Sequence, residues 1–351
     1  MSDPSVPLCG VGRQAPSRPA GARLDYALRT DVRGEATALS VTFVPTLLVA
    51  ASTHRAGGIV HRFGVLPWRD VALRAREVSN GLLAAGVRAG DSVLLVADGA
   101  AQWLVVELGI VAIGAVVLTP PASGRPRLAI CGDREDRRKV ESTHGDVSTI
   151  VIEEHGQRDH DTLDLLAARG VAWAASNLGA ADAALAQIGP TSPATDDAAG
   201  SMTHEDWSTA RSAFGAVDAA DRLLPAGSFA DRPIRVALHA CLLGGGTVVL
   251  PDRGLDLSTA LNRLEPTVLI AQRDALVDLA AAARRAIEEA GGLRGSLGRQ
   301  ALDGGGLPQR AVARQLARPA IGRTLRRVCS EEALPTDDRD LFRRLGITIG
   351  R

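Results

Sequence analysis

Large rings are nearly missing from this chain: five Phe, one Tyr and four Trp make aromatics 3% of 351 residues. The core must therefore be built from Ala, Val, Leu and Ile, which the 46% hydrophobic content supplies. An excess of charge is missing too. Forty basic residues balance forty acidic ones, so no global field draws in nucleic acid or anionic lipid. Cysteines are few and scattered: Cys9, Cys131, Cys241 and Cys329 form no C-x-x-C pair. That argues against a disulfide frame or a zinc site and for a reducing, cytoplasmic setting. No apolar h-region opens the chain, so no secretion signal is read, and the Pro, Ser and Gly content of residues 1–40 suggests a loose tail.

A long hydrophobic run is absent as well, with one imitation. "WLVVELGIVAIGAVVL", Trp103 to Leu118, would reach only ~24 Å as a helix, short of the ~30 Å hydrocarbon core. Glu107, Gly109 and Gly114 interrupt it. A buried helix, a Gly stop and a short strand fit it better than a membrane span.

What is present is α/β alternation. Val71, Ala75, Val78 and Leu82 recur at helical spacing, with Gly86 as the stop. "DSVLLVAD" follows as a continuous apolar run, the pattern of a strand buried on both faces. A helix over roughly 101–113, a strand at "AVVLT", a charged helix from "DREDRRK" and a strand from Thr149 to Ile152 continue the series. "RVALHACLLGGGTVVLPD" and "PTVLIAQ" read as a third strand set. The expected fold class is α/β, with two parallel-rich sheet subdomains flanked by helices. The Ala-rich stretch 174–197 places the junction, giving a tail over 1–40, a first subdomain over 41–185 and a second over 186–351. No repeat of fixed period occurs.

Several candidate sites reduce to ordinary structure. His144, His155 and His160 with Glu153 and Glu154 match no zinc spacing, and a solvated loop accounts for them. The glycine runs in "LGGGTVVL" and "DGGGLP" lack a G-x-x-x-x-G-K-[ST] frame and read as turns. No Ser sits in a G-x-S-x-G elbow. Between 291 and 327 eight Arg face one acid, Asp303, and Arg310, Arg314 and Arg318 share a helical face. Solvation explains that face; contact with an anionic lipid or a CoA phosphate stays open.

The order of segments resembles the large N-terminal domain of adenylate-forming acyl-CoA synthetases, in the long-chain fatty acid–CoA ligase branch. "LPWRDVALRAREVSNGLLAAGVRAGDSVLLVADGAAQWLVVELGIVAIGAVVLTPP" is similar to that family's opening helix, "GD" turn, strand and "EW" helix, with Gln102-Trp103 in place of Glu-Trp. "DRRKVESTHGDVSTIVIEE", "LPAGSFADRPIRVALHACLLGGGTVVLPD" and "LEPTVLIAQRDALVDL" continue the resemblance in collinear order over about 41–350. It implies ATP, Mg and CoA as cofactors and a fatty acid as substrate. It also implies an acyl tunnel at Ser228, Phe229, Asp231, Arg232, Leu243 and Gly244, where Ser228 replaces the usual His.

The family's phosphate loop reads approximately Thr-Ser-Gly-Thr-Thr-Gly-x-Pro-Lys-Gly and then Thr-His. "TSPATDDAAGSMTH" matches it at Thr191, Ser192, Thr195, Gly200, Thr203 and His204, and Thr191, Ser192, Thr195 and Gly200 are the nucleotide-contact candidates. Pro193 and Asp196 replace glycines whose backbone N–H groups would turn toward phosphate, and Ala199 replaces the Lys. Pro offers no N–H. Asp196 and Asp197 bring the wrong sign: a carboxylate about 4 Å from a phosphate oxygen costs on the order of 1 kcal/mol even in water. In "SEEALP", Glu331 and Glu332 stand where the family has the glycines of its adenine-side turn.

Beyond "LFRRLGITIGR" the family carries a Mg-coordinating acid, a ribose-binding Asp and a C-terminal domain with the catalytic Lys; none occurs here. The expectation is a truncated, catalytically impaired member that does not use ATP, Mg or CoA, with no catalytic residue and no metal site assigned. The alternatives are a non-catalytic acyl-binding or regulatory module, paired with a full-length synthetase or with itself, and the product of a decaying gene.

Overall fold

The structure, a computed structural model, describes residues 43–350 apart from 122–123, 153–161, 178–183, 185–187, 189–190, 198–199 and 253. The expected tail over 1–40, and with it Cys9, lies outside the described residues, as do Glu153, Glu154, His155 and His160. In chain order the elements are α1 (Phe43–Thr53), β1 (Gly58–His61), β2 (Gly64–Pro67), α2 (Trp68–Ala84), β3 (Ser92–Val96), α3 (Trp103–Val111), β4 (Val116–Leu118), β5 (Leu128–Cys131), α4 (Arg134–His144), β6 (Thr149–Val151) and α5 (Leu163–Ser176). Then come β7 (Pro193–Asp197), β8 (Gly200–Thr203), α6 (His204–Phe214), β9 (Arg222–Ala226), α7 (Arg232–Gly244), β10 (Thr247–Val249), α8 (Leu257–Leu264) and β11 (Val268–Ala271). The last are α9 (Arg273–Glu288), α10 (Gly292–Leu302), α11 (Leu307–Ile321), β12 (Arg327–Cys329), α12 (Thr336–Arg344) and β13 (Thr348–Gly350).

Two sheets result, as α/β alternation requires. One runs β13-β12-β11-β9-β10-β1-β2 and the other β6-β5-β3-β4-β7-β8. Every pairing is parallel except the hairpins β1–β2 and β7–β8. The expected division at 185/186 does not coincide with the sheets. β1 and β2 join the strands of the second half, and β7 and β8 complete the sheet of the first half. Pairing partners are chosen by burial and register across the whole fold, which a composition shift along the chain does not register.

Local signals explain most elements. On α2 the expected stripe Val71, Ala75, Val78 and Leu82 is buried, and Gly86 follows at φ +87°, where a side chain would be strained. β3 lies between β5 and β4, covered on both faces, as its unbroken apolar run demands. Asp133 caps α4 by accepting from the N–H groups of Glu135 and Asp136.

One expectation is overturned. "RVALHACLL" is not a strand but most of α7, with only Thr247–Val249 of that stretch extended. Pro233 in its first turn and the left-handed Gly245 at its end bracket it as a helix. A continuous apolar run is common to a doubly covered strand and a buried helix, so the run alone could not discriminate. The basic stretch 291–327 is likewise mostly helical, as α10 and α11. No described helix is long and apolar enough to cross a membrane; of the imitation span, only Trp103–Val111 is helix.

Candidate functional site

A cleft of about 480 Å³ opens at the carboxyl ends of β4, β7, β11 and β12 and the amino ends of α7 and α9. That is where open parallel sheets place ligands. Of the candidates, Asp231 and Arg232 line it; Thr191, Ser192, Thr195 and Gly200 do not.

The phosphate-loop candidates are instead built into a β-hairpin. β7 and β8 pair antiparallel with a register shift between Pro193 and Thr195. Thr195 is 1% exposed, and its hydroxyl accepts from the indole N–H of Trp207 at 3.2 Å. Asp197, at the mouth of the cleft, pairs with Arg232 at 2.9 Å and lies 3.9 Å from Arg235. Arg232 also donates to the Gly200 carbonyl at 3.0 Å. Asp196 is exposed, and Pro193 is exposed without an N–H to give. Polar groups of the hairpin thus serve the fold. A polyphosphate needs free N–H donors and a cation, and neither Thr195 nor Arg232 is available to it.

Thr203 and Asp206 close a reciprocal capping box at the start of α6. The next residue after Thr203, His204, is 1% exposed with no partner for either ring nitrogen among the described residues. Burial pushes its pKa down to about 4.

The tunnel candidates separate into two groups. Ser228 and Phe229 form the turn before α7, where the Ser228 hydroxyl accepts from Ala230 N–H at 3.1 Å and Phe229 N–H donates to Asp98 at 2.6 Å. The Phe229 ring meets Trp103 edge-on at 5.9 Å. Leu243 and Gly244 lie at the opposite end of α7, about 18 Å away at 1.5 Å per residue. There the Leu243 carbonyl faces His54 Nε2 at 3.2 Å, and Gly244 abuts the Val217 backbone. A second hollow, about 270 Å³, borders the other side of the turn, lined by Leu224, Gly227, Phe229, Leu250, Leu255 and Ala260 among others. Its wall is largely apolar.

Between hairpin and cleft lies a charged cluster that pattern reading did not single out. Glu107 on α3 accepts from Arg235 at 2.6 and 2.9 Å and faces His239 at 3.0 Å, all three being at most 3% exposed. The Arg235 guanidinium sits 5.2 Å from the Trp103 ring and 4.7 Å from that of Trp207, a double cation–π contact. Burial alone would raise the Glu107 pKa, but the charge of Arg235, then of His239, overrides it and holds the carboxyl below the usual range. The available signal was Arg235 and His239 four apart inside an apolar run, a spacing that puts both on one helical face.

Glu331 and Glu332 do reach the cleft, with Glu332 3.7 Å from Arg273. Five carboxylates line the cleft, Asp197, Asp231, Asp274, Glu331 and Glu332, against two guanidiniums, Arg232 and Arg273. Donor set and charge do not fit ATP with its polyphosphate.

A family model for AMP-binding enzymes matches residues 50–346. No curated protein matches the sequence. Among solved structures the chain is similar to the anthranilate CoA ligase AuaEII in complex with anthranoyl-AMP, at 17% identity and TM-score 0.62, covering 89% of this chain and 59% of that one. It is similar to a benzoate CoA ligase from Burkholderia xenovorans LB400 at 17% identity and TM-score 0.60, covering 88% and 60%. For the N-terminal domain of FACL13 from Mycobacterium tuberculosis the values are 14% and 0.60, covering 88% and 74%. The chain therefore spans about three fifths of the two ligases, and at these identities the likeness concerns the fold.

Proposed function

Because the chain belongs to the AMP-binding enzyme family, whose model spans residues 50–346, we propose that it is an impaired relative of the fatty acid–CoA ligases, one that holds a long-chain acid without activating it. The observation carrying this reading is the fate of the hairpin: Thr195 is committed to Trp207 and Asp197 to Arg232. Activation of an acid by ATP depends on positioned donors and on charge stabilisation at phosphorus. The cleft offers mostly carboxylates there.

The acid's apolar end is assigned to the hollow beside Phe229, lined by the segment that resembles the family's acyl tunnel. Its volume, about 270 Å³, lies just under the ~300 Å³ at which small-molecule sites begin. The family uses ATP, Mg and CoA; this reading has the chain using none of them.

The test is ATP–pyrophosphate exchange with a panel of fatty acids, run beside thermal shift. No acid-dependent exchange is expected, and dodecanoate should raise the melting temperature more than ATP does. Acid-dependent exchange by protein freed of contaminating synthetase, or a larger shift with ATP, overturns the reading.

A further inference from the structure

The cleft carries a charge balance that suits a different guest. Its two guanidiniums are taken, Arg232 by Asp197 at 2.9 Å and Arg273 by Glu332 at 3.7 Å. Among the described residues the Asp231 carboxylate accepts from the neutral amide of Gln272, at 3.1 Å, and from no cation. Asp274 and Glu331 line the same space with no ion-pair partner among the described residues. Three carboxylates are left without a compensating cation.

Thr119 supplies an independent observation. It lines the cleft just after β4 and is 0% exposed. Its backbone N–H is used by the Asp196 carbonyl at 3.2 Å, while its hydroxyl has no hydrogen-bond partner among the described residues. Buried hydroxyls without a partner are rare, and one bordering a cleft has lone pairs that an occupant's donor could use. Apolar atoms of Pro121, Pro233, Ile234 and Ile270 complete the wall.

We propose that this cleft binds an organic cation, a primary amine carried on an apolar body, in the place where a nucleotide does not fit. An ammonium has three donors and no acceptor, which matches a wall with three carboxylates lacking a cation partner and one hydroxyl lacking a hydrogen-bond partner among the described residues. A bare metal ion is a poorer match, because no three His, Cys, Asp or Glu side chains among the described residues come close enough to ligate one. The inference rests on the exclusion of polyphosphate from the cleft. The acid hollow shares no lining residue with the cleft, so the two readings can fail separately.

The experiment compares ligands of one apolar body, hexylamine, hexanol and hexanoate, by isothermal titration on the full chain at low salt. Hexylamine is expected to bind at least tenfold more tightly than either, and to weaken severalfold in 0.5 M NaCl as a charge-dependent contact should. Asp231→Asn and Thr119→Val, both close to isosteric, should each weaken the amine about tenfold, and Thr119→Val should leave the dodecanoate shift unchanged. If Thr119→Val does not fold, Asp231→Asn and the exposed Glu331→Gln decide the matter. Equal binding of hexanol, or full amine affinity in Asp231→Asn, overturns the proposal. Failure of hexylamine while dodecanoate still outperforms ATP overturns it alone; a dominant ATP shift overturns the premise as well.

Discussion

Removing the Glu107 carboxylate tests whether the buried cluster is one electrostatic unit. In Glu107→Leu, Arg235 stays 0% exposed with its nearest remaining acid, Asp197, at 3.9 Å. Breaking a buried pair from one side costs ~3–5 kcal/mol, because the partner's charge is left uncompensated. Arg235→Met should cost a similar amount, about 3–5 kcal/mol, since Glu107 then keeps only His239. The double variant removes both charges, so its cost should fall short of the sum. Coupling between contacting residues runs ~0.5–3 kcal/mol, and this pair belongs at the upper end. The cluster still has Asp197 and two indoles around the guanidinium site, so the double variant will not regain wild-type stability.

Urea unfolding followed by tryptophan fluorescence reads the effect directly, because Trp103 and Trp207 flank Arg235. Additivity of the two single variants within ~0.5 kcal/mol refutes the argument. So does a Glu107→Leu cost under ~1 kcal/mol. The pH dependence has a definite sign. The Glu107 pKa is held below its usual 4.5 in the folded state, so its stabilisation is complete above that value and is lost as pH falls below it. Glu107→Leu should abolish that part of the acid transition.

Three further outcomes are expected. Repair of the hairpin by Pro193→Gly, Asp196→Gly and Ala199→Lys should recover at most weak ATP binding, because Asp197 and Glu331 remain in the cleft; acid-dependent pyrophosphate exchange by the triple variant refutes this. His204, with its pKa pushed from 6.5 to about 4, favours the unfolded state as pH falls between those values, where only the unfolded chain binds the proton. Denaturation midpoints between pH 7 and pH 4 should show a loss of about 3 kcal/mol that His204→Phe removes; an unchanged slope in the variant counts against the assignment. Gly244→Ala would gain ~1 kcal/mol from helix propensity, but its Cβ would run into the Val217 carbonyl oxygen. A net cost of roughly 2 kcal/mol in urea unfolding is expected, and a stabilised variant refutes the packing role.

The local grammar of the chain was legible without a structure. The α2 stripe, the Gly stops at 86 and 114, and the strands β3, β4, β6 and β11 all follow from periodicity and backbone permissiveness within a dozen residues. The residue chemistry of 191–204 was legible too, because the N–H that Pro193 lacks and the carboxylates of Asp196 and Asp197 are properties of single residues. α7 was not, since its apolar run is shared by buried helices and buried strands.

What the sequence could not determine is who meets whom. Glu107 and Arg235 are 128 residues apart, Glu107 and His239 132, and nothing local ties them. The assembly of β1 and β2 with the later strands, and of β7 and β8 with the earlier ones, is likewise settled only when the sheets close. The same closure turns Thr195 onto Trp207 and draws Asp197 to Arg232, changing what the hairpin's polar groups are for. Residue types fix which interactions are available; long-range packing, by burying some partners together and leaving others in a cleft, decides which are made.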